Sequence, residues 1–394
     1  MPPKNSRAPA RTAKPKQTVT SKTNGSKKTA KTQDRLELEG ERDQGRQTSE
    51  EARKQQQRIV DVFRRALSDV LFSDNLTATM QAVKQALFDR DFARAFGNPE
   101  YLAVYAARWS PTRALCYTTV LSGIWEHLES ISQPIQVPAP SQEDDENGNN
   151  KSEPKDSVQT HQLKVFSIGG GAAELVSLAG FLSQCPSPML SGHITLLDSG
   201  PWADVITQLY PSLTTPPPIS KYASAAAKLA NAAIVSPSRF SHAFLQEDVL
   251  TMDQPRLTSI LGNAPLLITL LFTLNELFTA SGIGKTTKLL LDITSVVPFG
   301  SLLLVVDSPG SYSETSVGKE AKRYPMQWLL DRVLMGTRRE PIAGRRWKKL
   351  EGKDSVWFRL AEGLDYPIQL ENMRYQMHLY RAEDASLESN SDDD

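Results

Sequence analysis

Apolar residues recur at spacings of three and four through Ile59, Val62, Phe63, Ala66, Leu67, Val70 and Leu71, and again through Met80, Val83 and Leu87. That period lines one face of a helix, so residues 51–132 read as a helical N-terminal subdomain. From His161 the pattern changes to short apolar runs alternating with helical stretches, as a parallel sheet with crossover helices requires. Strands are expected at Leu163–Ile168, His193–Asp198, His242–Glu247, Pro265–Phe272, Leu302–Asp307, Val356–Leu360 and Tyr375–Arg381. Helices are expected at Ala172–Ser183, Trp202–Tyr210, Lys221–Ile234 and Lys285–Ile293, with a long one at Met326–Met335 before the two closing strands. Seven strands in this order describe a doubly wound, Rossmann-like α/β domain over residues 161–382.

Composition adds the flanks. Residues 1–50 are too poor in apolar side chains to offset the entropy of ordering and read as a disordered tail, while Pro, Gly, Asn and acids mark residues 133–160 as a linker. Lys+Arg and Asp+Glu both number 45, yet residues 1–33 hold nine bases and no acid, and residues 383–394 hold six acids and no base. Oppositely charged tails of this kind lead us to expect RNA attraction and a nuclear or nucleolar location, with room for a cytoplasmic pool. No apolar h-region precedes Lys31, so secretion is not expected; the stretch is Ser/Thr-rich and acid-free like a transit peptide, but it lacks Leu, Ile and Phe for an amphipathic face. No apolar run approaches the roughly 20 residues of a membrane span. The two cysteines, Cys116 and Cys185, exclude a disulfide framework or a cysteine-rich metal site, and the five histidines are too dispersed for one.

Candidate chemistry centres on Lys164-Val-Phe-Ser-Ile-Gly-Gly-Gly-Ala-Ala-Glu-Leu175, an apolar strand running through Gly169, Gly170 and Gly171 into a helix. Glycines at the end of such a strand let a ligand approach the backbone; a tight turn with no ligand is the plainer alternative. The next strand ends in Asp198, placed to accept from the paired hydroxyls of a ribose, and the third leads to Asp248 and Val249, suited to the amine and face of an adenine. Each acid alone is equally a helix cap. Dinucleotide binding fits poorly, because Glu174 stands where the last glycine of G-x-G-x-x-G belongs, and an acid beside a pyrophosphate is electrostatically unfavourable. S-adenosylmethionine, which carries a sulfonium and an amine and no phosphate, tolerates that acid. Ser281-Gly-Ile-Gly-Lys-Thr-Thr287 looks like a phosphate loop, but Thr279 occupies its first glycine and no strand leads into it.

Five segments carry a family resemblance: Tyr105-Ala-Ala-Arg-Trp-Ser-Pro-Thr-Arg-Ala114, Ser167-Ile-Gly-Gly-Gly-Ala-Ala-Glu-Leu175, Val306-Asp-Ser-Pro-Gly-Ser-Tyr-Ser-Glu314, Arg323-Tyr-Pro-Met-Gln-Trp-Leu-Leu-Asp331 and Tyr366-Pro-Ile-Gln-Leu-Glu-Asn-Met-Arg-Tyr-Gln-Met-His-Leu-Tyr380. Together they resemble the fungal methyltransferases that modify uridine at N3 in large-subunit ribosomal RNA. The resemblance implies a class I methyltransferase fold, S-adenosylmethionine as donor, and large-subunit rRNA or a pre-ribosomal particle as partner. Two departures stand out: Ser167 replaces the carboxylate that often precedes the glycines, and Ala173 replaces a common third glycine. They motivate an alternative, a noncatalytic RNA-binding assembly factor on a degenerate methyltransferase fold; a nicotinamide-dependent oxidoreductase is a third reading.

Methyl transfer from a sulfonium is an in-line displacement that asks mainly for alignment and exclusion of water. Uridine N3 must lose a proton, however, and the loop after the fourth strand, Phe272-Thr-Leu-Asn-Glu-Leu-Phe278, offers Asn275 for the base edge and Glu276 as proton acceptor, unless Glu276 merely opens a helix. Covalent C5 chemistry needs a cysteine nucleophile, and neither cysteine is placed for it. Asp307 reads as a turn former or a further acid on the ligand face. For RNA, Arg108, Trp109 and Arg113 form a basic–aromatic cluster, Asn372, Arg374 and Tyr375 adjoin the final strand, and Arg338-Arg339 with Arg345-Arg-Trp-Lys-Lys349 makes a second basic patch. A Trp in the helix core and a solvated loop are the respective alternatives.

Overall fold

A computed structural model describes residues 50–136, 159–310, 312–317, 320–336 and 341–386. The basic tail, most of the linker, Arg338-Arg339 and most of the acidic tail lie outside the described residues. Arg53–Asp394 forms one compact unit; of Met1–Ala52, residues 50–52 are described and are helical.

Among the described residues, seven helices precede the sheet: α1 (53–66), α2 (Ser68–Leu71), α3 (Leu76–Phe88), α4 (Phe92–Phe96), α5 (Pro99–Arg108), α6 (Ser110–Gly123) and α7 (Trp125–Ile131). Asn98 starts α5 by accepting from Glu100 N at 2.8 Å, with Pro99 in the first turn where its missing N–H costs nothing. Pro111 likewise sits in the first turn of α6, and the chain bends between the two helices at Trp109. There follow β1 (Gln133–Gln136), β2 (Gln159–Ile168), α8 (Ala172–Gln184), β3 (Leu190–Asp198), α9 (Ala203–Thr214), α10 (Ala225–Leu229), β4 (Phe240–Gln246), α11 (Gln254–Leu261), β5 (Leu267–Leu271), α12 (Leu274–Val296), β6 (Leu302–Asp307), β7 (Tyr312–Val317), β8 (Glu320–Pro325), α13 (Met326–Met335), β9 (Arg345–Phe358) and β10 (Met373–Asp384).

The main sheet runs β4-β3-β2-β5-β6-β10-β9, with β1 antiparallel on the start of β2 and a separate β7-β8 hairpin. Strands β2 to β6 are parallel, and β10 and β9 close the edge antiparallel. This is the doubly wound sheet expected. Both β5 and β6 are buried along their whole length, as strands covered on two faces must be. Alternation along β2 sends Leu163 and Val165 into a core shared with helices α1 to α9, and Phe166 and Ile168 into a second core beneath α11, α12 and α13. The N-terminal helices therefore build one face of the sheet: Thr118 Oγ1 of α6 donates to Ser177 O of α8 at 3.2 Å. The chain winds from β2 outward through β3 to β4, then crosses to β5 on the other side. That reversal opens a crevice outside the carboxyl ends of β2 and β5.

Four expected elements differ. The linker's first residues form β1. The Ala-rich stretch makes only the five-residue α10, and the helix expected at Lys285–Ile293 is the second half of a longer α12 broken at Gly282, φ 81°. The strand expected at Val356–Leu360 begins well before that, at Arg345, and ends at Phe358. It is an edge strand whose solvent face carries charge, and charge conceals the alternation.

Candidate functional site

The crevice encloses about 490 Å³, within the range of small-molecule sites. Its floor is the carboxyl ends of four strands: Gly169 and Gly171 after β2, Asp198 ending β3, Asp248 and Val249 after β4, and Phe272 and Thr273 after β5. Phe92 and Phe96 of α4, Tyr105 of α5, Arg113 of α6 and Glu276 of α12 complete its lining.

The glycine loop is built for close approach. Gly169 has φ +69°, and a Cβ there would lie 2.4 Å from Thr273 Oγ1; one on Gly171 would lie 2.8 Å from the Trp202 ring. Gly169 N and Gly170 N both donate to Leu197 O, at 2.8 and 3.1 Å, which ties the loop to β3. Gly170 faces away from the crevice lining, against Ser167. Glu174 accepts from Gly171 N at 2.8 Å and closes the start of α8 with its own carboxylate. That bond occupies the amide a pyrophosphate would need, a structural reason against a dinucleotide. Burial raises the Glu174 pKa to about 7, against the lowering effect of the Gly171 bond.

Because the unfolded carboxyl titrates near ~4.3, Glu174 favours the folded state fully below that pH and loses this contribution as pH rises through about 7. Glu174→Gln keeps an acceptor for Gly171 and removes the buried charge. Its melting temperature should exceed that of the wild type at about pH 8, with the difference vanishing by about pH 5; differential scanning fluorimetry across that range checks the sign.

At the other end of the crevice, Asp198 Oδ1 accepts from Gly200 N at 2.6 Å. Burial raises its pKa to about 6. The indole N–H of Trp202 lies beside this carboxylate and helps to lower that value, yet it is buried without a partner in hydrogen-bond geometry among the described residues. Asp248 caps the short turn Val249–Thr251 by accepting from Leu250 N at 2.9 Å while its side chain remains exposed at the crevice rim; Val249 is buried. A carboxylate with an indole N–H beside it and an apolar Val suit a nucleoside.

Arg113 is the cation of the crevice lining. Its guanidinium sits 4.9 Å from the Phe272 ring centroid and 5.3 Å from that of Tyr105. Burial opposes the charge, and Tyr105, Tyr117, Glu276 and Glu174 more than offset it, so Arg113 stays protonated. Burial pushes Glu276 up to about 7 despite Arg113, with Asp307 and Asp198 adding to the rise. Phe272 has φ +60°, a conformation a bulky side chain adopts at a cost of about 1–3 kcal/mol, and that turn aims the β5 loop into the crevice.

Several expected residues lie elsewhere. Asn275 is outside the crevice lining: its N donates to Asp307 Oδ2 at 3.0 Å and its side-chain oxygen is buried without a partner among the described residues. Asp307 thus caps α12 from the neighbouring strand. Arg108 is buried at 6% exposure, its guanidinium 2.5 Å from Glu371, so it does not reach phosphates; Trp109 packs on Tyr105. Tyr375 is buried in the sheet, Asn372 Oδ1 accepts from Leu360 N at 2.9 Å, and Arg374 donates to Ser355 at 2.7 Å. None of these three lines the crevice. Trp347 in the second basic patch is 2% exposed, with its N–H on Thr294 Oγ1, and is unavailable for stacking. Residues 281–287 join the first half of α12 to its second half across the break at Gly282, with no strand leading in, so they form no phosphate loop. Burial raises the Cys116 thiol to about 12, which removes it as a nucleophile. Among the described residues no helix is long and apolar enough to cross a membrane. The sequence did not reveal Phe92, Phe96, Tyr105, Trp202 or Phe272 as lining; only tertiary packing assembles them.

A family of SAM-dependent methyltransferases matches residues 63–381. The chain is 32% identical over 349 residues to the 25S rRNA (uridine(2843)-N(3))-methyltransferase of Saccharomyces cerevisiae, covering 82% of this chain and 85% of that one. Among solved structures it resembles an O-methyltransferase family protein from Burkholderia thailandensis, at 12% identity, 78% and 70% coverage and a TM-score of 0.33. It also resembles a mutant form of the 16S rRNA (adenine(1408)-N(1))-methyltransferase from Catenulisporales acidiphilia, at 12% identity, 56% and 87% coverage and a TM-score of 0.32. By the family match and the curated relative, the chain belongs to the SAM-dependent methyltransferases, with S-adenosylmethionine as its methyl donor.

Proposed function

We propose that this chain methylates N3 of a uridine in large-subunit ribosomal RNA by direct transfer. The reading rests on the yeast relative, whose match covers 82% of this chain, and on a crevice that offers a nucleoside end and a proton-accepting end. Bound S-adenosylmethionine supplies an electrophilic methyl group on sulfur. The residues around it divide the remaining work. Asp198 would accept from the ribose hydroxyls, Val249 would pack on the adenine and Asp248 would take its amine. Gly169 and Gly171 leave room beside the backbone. Glu174 and Arg113 would hold the ammonium and the carboxylate of the donor's amino-acid end. Glu276 takes the proton from uridine N3, and its pKa of about 7 suits a base acting near neutrality. The aromatic cover of Phe92, Phe96 and Tyr105 keeps water from the reacting atoms.

The noncatalytic alternative loses its main motive. Ser167 is a buried strand residue whose hydroxyl accepts from Thr269 Oγ1 at 2.9 Å, so the position serves sheet packing while the crevice beyond it stays open. A nuclear or nucleolar site of action belongs to the same proposal and rests on the charged tails alone. The test is direct: incubate the full chain with methyl-labelled donor and large-subunit rRNA from a strain deleted for the enzyme, digest, and separate nucleosides by mass. Label in 3-methyluridine is expected. Label in another nucleoside, or none, rejects the uridine assignment.

A further inference from the structure

An aromatic side chain on the closing edge of the sheet stands apart from the crevice. Trp357, near the end of β9, is 55% exposed, and two guanidinium groups flank its ring: Arg374 at 5.7 Å and Arg359 at 5.8 Å from the centroid. An exposed Trp loses hydrophobic stabilisation unless something covers it. Among the described residues neither arginine forms an ion pair. Arg359 has only its contact with the ring, and Arg374 adds one hydrogen bond to Ser355. Between Lys353 and Arg359 the other exposed side chains are Lys353, Asp354, Ser355 and Arg359, so no further large apolar group extends the patch as a protein interface core would. An exposed ring with two guanidinium groups over it, neither of them in an ion pair among the described residues, offers planar stacking surfaces and positive charge that match a base joined to phosphates.

The register places this cluster toward the carboxyl ends of the parallel strands, the side on which the crevice opens. Glu276 follows Asn275, whose N is held by Asp307; Asp307 is the Cα partner of Gln376, and Arg374, two residues before it, is the partner of Trp357. From the β5 loop to β9 is three strand spacings, roughly 15 Å. The connection from Arg359 to Asn372 is held in place, with Ala361 N on Gln56, Asp365 N on Gln57 and the Tyr366 hydroxyl on Ala107 O. The cluster is thus presented on a braced surface and needs little ordering to bind.

We infer that Trp357, Arg359 and Arg374 form a stacking platform for single-stranded RNA flanking the nucleotide held in the crevice. The inference builds on the RNA-methyltransferase reading and adds a second binding site to it. Its test is fluorescence anisotropy of the full chain with a fluorescein-labelled single-stranded RNA. Trp357→Ala should weaken binding by about 5- to 150-fold, and Trp357→Phe, which keeps a ring, should retain most of it. Replacing Arg359 and Arg374 by Ala should flatten the salt dependence of log K by about 0.7 for each phosphate that either guanidinium neutralises. Wild-type affinity in Trp357→Ala overturns the platform. So does unaltered RNA binding combined with slower methylation of intact ribosomal subunits, which would make the patch a protein contact. Should the wild type transfer no methyl to uridine while RNA binding still depends on Trp357, the uridine-N3 reading fails and the platform stands.

Discussion

Replacing Glu276 by Gln should lower kcat by about 10²- to 10⁴-fold, the contribution of a positioned proton acceptor. Gln is isosteric and leaves Arg113, Phe272 and the glycine loop in place, so donor binding should persist. Burial holds the Glu276 pKa at about 7, and the wild-type rate should therefore rise with pH through that value as the carboxylate forms. In Glu276→Gln this rising limb should disappear, leaving a response set by the uridine's own ionisation. Single-turnover rates across the range about pH 5.5 to about 9 read both effects. A variant within twofold of the wild type, or a limb that survives, would reduce Glu276 to the first turn of α12. The same substitution gives a structural readout that catalysis does not touch. Removing a carboxylate whose pKa is raised in the folded state should increase the melting temperature above about pH 7 and change it little below about pH 5.

Asp198→Ala carries the second large effect. Hydrogen bonds to a charged acceptor contribute about 1.5–3 kcal/mol each, so losing two ribose contacts should weaken donor binding by about 10²- to 10⁴-fold in calorimetry. Asp198 also holds Gly200 N, and Asp198→Asn, which keeps an acceptor for that amide, separates the two roles. The Asn variant should melt like the wild type and still bind the donor poorly. Wild-type affinity should itself decline as pH falls through about 6, where Asp198 takes up its proton. Unchanged binding in both variants would move the nucleoside end away from Asp198.

The parallel strands were legible because burial on both faces leaves unbroken apolar runs: Leu302–Asp307 matches the expected strand at both ends, as Met326–Met335 matches the expected helix. Strand β9 was legible only at its end, since Arg345-Arg-Trp-Lys-Lys349 and Lys353-Asp-Ser355 present charge on an edge whose inner residue, Trp347, is hidden between cations. Half of the site could be read for a similar reason. Gly169, Gly171, Asp198 and Val249 stand at strand ends, where position along the chain fixes position at the crevice. The meeting of Arg113 and Glu276 could not be read, because they lie 163 positions apart and only the packing of α6 over the β5 loop brings them together. Arg108 misled for the converse reason. It shares a basic–aromatic run with Arg113, but the bend at Trp109 turns it toward Glu371 and away from the crevice. Tyr366 on Ala107 and Glu371 on Arg108 brace the fold just before Asn372, Arg374 and Tyr375, and none of those three reaches the crevice.

Crystals of the full chain grown with S-adenosylhomocysteine would settle where the donor lies. The ribose hydroxyls should contact Asp198, the adenine should rest on Val249, and the sulfur should face Glu276 past Gly169 and Gly171. A ligand bound outside this crevice, or a crevice that admits none, would contradict the assignment.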